Sequence, residues 1–202
     1  MQLSIKTNFP SVKKSMDKLQ ADIRQRATVS AVNKTIDQGK TQMVRAITRE
    51  FVVKADYVRA RLNIKRARYS QGAFSIEATL AGGSDRGRSA NIIAFVEKKV
   101  SLAEGRRRAK AGTRNELFVQ IKRGAGKKGL GKAFIGNKGR TVFIRSGDGR
   151  LPIEPVQVID VAQMFNTKRI NKVVVDFMKA KFPEIFDREA KFFVDRFNRG
   201  QP

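Results

Sequence analysis

Chemistry in this chain has to be sought without histidine or cysteine, because its 202 residues contain neither. Their absence removes the commonest general base, the usual zinc ligands and every Ser–His or Cys–His nucleophile pair. Two patterns with chemical potential remain. Gly126-Lys127-Lys128-Gly129-Leu130-Gly131-Lys132 has the G-x4-G-K spacing of a phosphate-binding loop. However, Ala133 stands where a Ser or Thr hydroxyl must hold Mg²⁺. Phe134-Ile135-Gly136-Asn137 then reads as a strand and turn where that loop requires a helix. A chain rich in Gly and Lys produces this spacing by composition alone. Asp85 with Glu97 and Lys99 resembles the D…E-x-K set of metal-dependent nucleases, and on a strand Glu97 and Lys99 would share one face. Asp85 sits in a Gly-rich loop with no strand to place it, so plain surface charge is the preferred reading. No catalytic residue, metal ligand or cofactor site is expected.

Charge is the dominant feature. Lys and Arg number 43 against 18 acids, a formal net charge of +25. Residues 54–150 hold twenty-four bases and seven acids, a net of +17, whereas residues 1–53 and 151–202 carry only +6 and +2. The stretch from Glu104 to Arg150 concentrates fourteen bases and ten of the sixteen glycines. A region so basic requires a polyanion, an acidic protein surface, or both; the bland alternative is a solvated face that aids solubility. Arg106, Arg107, Arg108, Lys110 and Arg114, then Lys127 and Lys128, are the candidate contact residues, on mobile cationic loops. Contact of this kind gains affinity from counterion release and reads no base sequence. Phe118 and Phe134 read as strand interior, which argues against base stacking.

The elements that must carry these loops can be sketched from periodicity. Leu3 and Ile5 suggest a short opening strand. From a cap at Ser11, the apolar residues Val12, Met16, Leu19, Ile23 and Ala27 make a helical stripe, continued by Val32, Ile36, Met43 and Ile47. Gly39 suggests a bend or break in that helix, which is expected to lie on a sheet. Tyr57–Leu62 reads as a short helix, residues 64–70 and 73–80 as a hairpin, and Ile92–Val96 as a central strand. Leu117–Val119, Ala133–Ile135 and Val142–Ile144 are apolar islands with strand character. Helical periodicity returns from Asp160, with Pro183 as a kink or break. Phe177, Phe182, Phe186, Phe193 and Phe197 recur along this segment. Such phenylalanines are usually core, but their number also suits contact with a neighbouring subunit.

The block Lys132-Ala133-Phe134-Ile135, Arg140-x-Val142-Phe143-x-Arg145-x-Gly147, Arg150-Leu151-Pro152-Ile153-Glu154-x-Val156 and Val161-x-x-Met164-Phe165 resembles the minor tail protein Z family of lambda-like long-tailed bacteriophages. The resemblance is close over residues 132–165 and loose over most of the chain. It implies a non-enzymatic tail-completion protein at the head-proximal end of the tail. Such a protein would serve head–tail joining and DNA passage in the virion and be assembled in the host cytoplasm. It also implies a homo-oligomeric ring, with tail-terminator, tail-tube and connector proteins as neighbours and genomic DNA phosphates in the channel. The alternatives are a free basic nucleic-acid-binding protein, ribosomal or nucleoid-like, and, less favoured, the nuclease.

The expected fold is α+β, one domain over residues 1–202. A strand and helix (1–53), a basic β-region (54–157) and a C-terminal helical segment (158–202) would pack around a mostly antiparallel sheet or open barrel with long basic loops. No apolar run is long enough to span a bilayer, and Met1–Lys14 lacks a signal-peptide core, so no membrane partner is expected.

Overall fold

The computed structural model describes residues 2–4, 20–68, 76–83, 90–97, 104, 107, 110–111, 117–147, 149 and 151–200. Two long helices dominate: α1 (Ala21–Glu50), followed by a short α2 (Ala55–Arg59), and, near the C-terminus, a short α3 (Val161–Phe165) and the long α4 (Lys168–Asn198). Glu50 pairs with Arg169, Gly39 lies against Met178 and Lys34 pairs with Glu189. Residue numbers therefore rise on one helix as they fall on the other, so α1 and α4 are antiparallel. At about 1.5 Å per residue each helix runs roughly 45 Å, and together they share more of the core than any other pair of described elements.

The apolar period of α1 has the expected result. Ile23, Ala27, Val32, Ile36, Met43 and Ile47 are all buried. Val12, Met16, Leu19 and the expected cap at Ser11 lie outside the described residues. Two expectations for this helix change. It packs chiefly on α4, with β3 a lesser contact, rather than on a sheet, and it continues unbroken through Gly39. A Cβ on Gly39 would run into the Met178 side chain, meeting Cγ at 3.0 Å and Sδ closer still. Gly39 is there for the close approach of a second helix. Likewise α4 is continuous across Pro183: burial of Phe182, Ile185 and Phe186 on either side holds a helix that the proline by itself weakens.

Among the described residues the β-structure forms four small antiparallel sheets. β1 (Gln2–Ser4), β3 (Thr79–Gly82) and β2 (Leu62–Lys65) pair in the order β1-β3-β2. β4 (Ala90–Asn91) pairs with β10 (Gln157–Val158). β5 (Leu117–Val119) and β6 (Lys128–Leu130) form a hairpin, and β7 (Ala133–Gly136), β8 (Thr141–Arg145) and β9 (Ile153–Pro155) pair in that order. This is an α+β fold, and its strands form no closed barrel among the described residues. β2 and β3 occupy the outer parts of the expected hairpin, whose tip at Ser70–Gly72 lies outside the described residues.

Ile92–Phe95 is a 3-10 helix rather than the expected central strand. Asn91 explains the difference. Its Oδ1 accepts from the backbone N–H of Ile93 at 3.1 Å, starting the turn, and from Val142 N–H at 2.9 Å, tying the turn to β8. Periodicity cannot anticipate a side chain that competes with the ladder in this way.

In the sheet of β7, β8 and β9, Phe134 lies opposite Phe143 with ring centroids 5.8 Å apart. The Arg145 guanidinium stands 4.8 Å from the Phe134 ring centre. Gly136 admits the Phe143 ring, since a Cβ there would meet Cε2 at 2.9 Å. At the start of α3, Asp160 Oδ1 accepts from Gln163 N–H at 2.8 Å while Gln163 Oε1 accepts from Asp160 N–H at 3.1 Å, a reciprocal capping box.

Candidate polyanion-binding surface

Of the candidate cations that are described, Lys127 and Lys128 are carried on the β5–β6 hairpin and Arg107 and Lys110 on a preceding stretch of helical backbone. Leu117 and Val119 point inward, while Phe118 lies opposite Gly129 on the outer face and is 46% exposed. The interior position expected for Phe118 is therefore corrected: with only a glycine across the ladder, nothing on the hairpin covers the ring. The connecting segment is not a loose loop. Gln120 Nε2 donates to the carbonyls of Arg123 (3.3 Å) and Ala125 (2.8 Å), and Ala125 N–H donates to Lys122 at 3.1 Å.

The hairpin is also anchored to the rest of the fold by backbone hydrogen bonds. Val52 N–H donates to Ile121 O and Arg123 N–H to Glu50 O, both at 2.9 Å, and Gln120 N–H reaches Phe95 O at 3.3 Å. Arg123 Nε then donates to Thr48 O at 2.7 Å, so a guanidinium closes the negative end of α1. Arg123 is thereby a helix cap although it remains exposed, and the other exposed cations on this hairpin are Lys122, Lys127 and Lys128.

The predicted contact residues are only partly brought together. Lys127 and Lys128 are exposed on one hairpin, but Lys127 Nζ is 2.7 Å from Glu97 Oε1. That pair also bears on the nuclease pattern: Glu97 is engaged by a lysine from the hairpin, and Asp85 and Lys99 lie outside the described residues. The phosphate-loop pattern has a strand, β7, where it needs a helix. Glu104, Arg107 and Lys110 have helical backbone, with Ala111 N–H donating to Arg107 O at 3.1 Å, where a mobile loop was expected. Arg107 Nη2 pairs with Glu104 at 3.1 Å, and Lys110 is exposed one turn on. Arg106, Arg108 and Arg114 lie outside the described residues. Sequence reasoning missed Lys122, which sits in the same basic stretch but not in a run of adjacent cations.

The phenylalanines of α4 divide into two groups. Phe182 and Phe186 are fully buried, with ring centroids 6.2 Å apart, inside the core that α4 shares with α1. They are core residues of this chain, which corrects their assignment to subunit contact. Phe177 and Phe193 are half-buried, and Phe197 is 56% exposed near the end of the helix. Phe192, also exposed, packs edge-to-face on Phe193 at 5.3 Å.

One buried acid fastens the two long helices. Glu189 on α4 accepts at Oε2 from Lys34 Nζ (2.6 Å) and Ser30 Oγ (2.8 Å), and Arg188 Nε reaches Oε1 at 3.3 Å. Burial pushes its carboxyl pKa up, but the hydrogen bonds from Lys34, Ser30 and Arg188 and the Lys34 charge outweigh burial and leave it below the usual glutamate value.

Among the described residues no group of three or more Asp or Glu is placed to hold a metal ion, and no helix is long and apolar enough to cross a membrane. The sequence model of one family, described as prophage minor tail protein Z, matches residues 11–197. No match was found among curated proteins or among solved structures.

Proposed function

Because the chain belongs to the prophage minor tail protein Z family, and so to the structural proteins of a phage tail, we propose that it is a non-enzymatic tail-completion protein. It acts as one domain at the head-proximal end of the tail, in a homo-oligomeric ring next to tail-terminator, tail-tube and connector proteins. There it prepares the tail for head joining and DNA passage. The family match over nearly the whole chain carries this reading.

The physical features give it a mechanism. Lys122, Lys127, Lys128, Arg107 and Lys110, with Arg106, Arg108 and Arg114, supply sequence-independent contact to DNA phosphates or to acidic faces of neighbouring proteins. A hairpin pinned to the end of α1 holds part of that charge at a set position, which a channel lining requires and a free tail of lysines does not supply. Phe177, Phe193 and Phe197, with Phe192 beside them, offer apolar area on the outer side of α4 for subunit contact.

The test is genetic and visual. A lysogen lacking the gene is induced with and without the wild-type copy, and particles are imaged by negative stain. Separate heads and tails, restored to infectious virions by the wild-type gene, are expected. A Lys122→Glu/Lys128→Glu copy is expected to give joined particles of reduced infectivity. Normal infectious yield from the deletion would end the tail-completion reading.

A further inference from the structure

A groove between the C-terminal half of α1 and the first turns of α4 lies apart from the cationic hairpin surface. This open groove has a volume of about 590 Å³, within the range of ligand-binding clefts. Its floor is Ala46, Ile170 and Val173, and its rim is Arg45, Arg49 and Arg169. Arg49 neighbours both Arg45, four residues before it, and Ala46, three before it, along α1. Val173 leaves 56% of its surface open although it stands beside the buried Ile170.

The electrostatics of the groove are one-sided. Glu50 is the single carboxylate lining it, and Arg169 Nη2 holds that group at 2.8 Å. The hydrogen bond and charge of Glu50 in turn keep the Arg169 pKa above its ordinary value. Arg45 and Arg49 make no ion pair among the described residues. A phosphate backbone would satisfy these cations but leave the apolar floor wet. A second copy of this chain could satisfy them only through an acidic segment, and its 18 acids are outnumbered by 43 bases. An acidic segment with an aliphatic anchor satisfies rim and floor together.

We infer that this groove docks an acidic amphipathic helix of a different protein. An aliphatic side chain of that helix seats on Val173 and Ile170, and carboxylates one turn away pair with Arg45 and Arg49. The proposal is independent of where in the particle the chain acts.

The experiment uses the purified full chain and fluorescence anisotropy with three labelled probes. These are a designed peptide helix of glutamate, leucine and alanine, the same helix with serine for leucine, and a DNA duplex. Because a chain of this charge attracts any polyanion, the leucine-to-serine difference is what reports the groove. The leucine helix is expected to bind about tenfold more tightly than the serine helix. Val173→Asp is expected to erase that difference. Arg45→Ala/Arg49→Ala is expected to weaken the leucine helix by about tenfold while shifting duplex binding by less than about threefold. All three positions are exposed or line the open groove, and circular dichroism checks that the variants melt as the parent does. Equal binding of the two helices would overturn the proposal, as would an equal loss of duplex binding. Loss of self-association in the variants would overturn it in favour of a second copy.

Discussion

Changing Glu189 to Gln removes one charge at the α1–α4 interface and almost no volume. The carboxylate side chain is 5% exposed, whereas Lys34 is 50% exposed and Arg188 64%. A hydrogen bond to a charged group contributes roughly 1.5–3 kcal/mol when its partner is buried. Here the strongest donor, Lys34 at 2.6 Å, can return to water when its partner is lost, and the Arg188 contact is long at 3.3 Å. Discounting for that exposure, Glu189→Gln is expected to destabilise the protein by about 1–2 kcal/mol at neutral pH. For a chain of this size that lowers Tm by about 2–8 °C.

The pH dependence is the sharper reading. The folded carboxyl pKa lies below its unfolded value, so its contribution is complete above the ordinary glutamate range, about 4.3. That contribution disappears as pH falls through the lower, folded value. Wild type and Glu189→Gln should therefore differ at neutral pH and converge in acid. Thermal melts followed by circular dichroism from about pH 7 to about pH 3 measure this. Curves that stay parallel over the whole range, or coincide at neutral pH, would refute the argument.

Other expectations test the remaining long-range contacts. Gly39→Val should cost about 1–3 kcal/mol in chemical denaturation by overpacking against Met178, and Met178→Ala in the same chain should recover part of it. Arg123→Ala should lower stability by about 1 kcal/mol through the lost bond to Thr48 O, with Arg123→Lys retaining a fraction of it. Asp160→Ala should cost about 1 kcal/mol by opening the capping box, measured the same way. Duplex binding by the isolated chain should weaken with salt at a log–log slope of about −4 to −6, as about five to seven phosphate contacts would give. A slope near zero would show that the cationic surface does not meet a phosphate backbone.

Local pattern was enough wherever the physical cause is local. The 3.6-residue period of α1 gives the burial of Val32, Ile36, Met43 and Ile47, and the β-prone islands at Leu117–Val119, Ala133–Ile135 and Val142–Ile144 lie within strands β5, β7 and β8. The block from Lys132 to Phe165 also carried the resemblance to the family, and in the structure it holds the cross-strand Phe134–Phe143 pair and helix α3. The candidate contact surface was legible only as a basic stretch. Which cations stand free depends on distant partners: Glu97 for Lys127 and the end of α1 for Arg123.

Tertiary structure decided what one helix cannot know about another. Gly39 looks like a helix breaker until Met178 is placed against it, and Pro183 looks like a stop until the residues around it are buried. Phe182 and Phe197 have the same composition signal, yet one is core and the other faces solvent. No local pattern marks Glu189, and only the antiparallel seating of α4 on α1 delivers Lys34 and Ser30 to it. Composition and periodicity therefore determined the class of the fold and the sign of its charge. The approach of chain segments 30 to 159 residues apart decided which side chains are clamps, which are core and which are left to meet a partner.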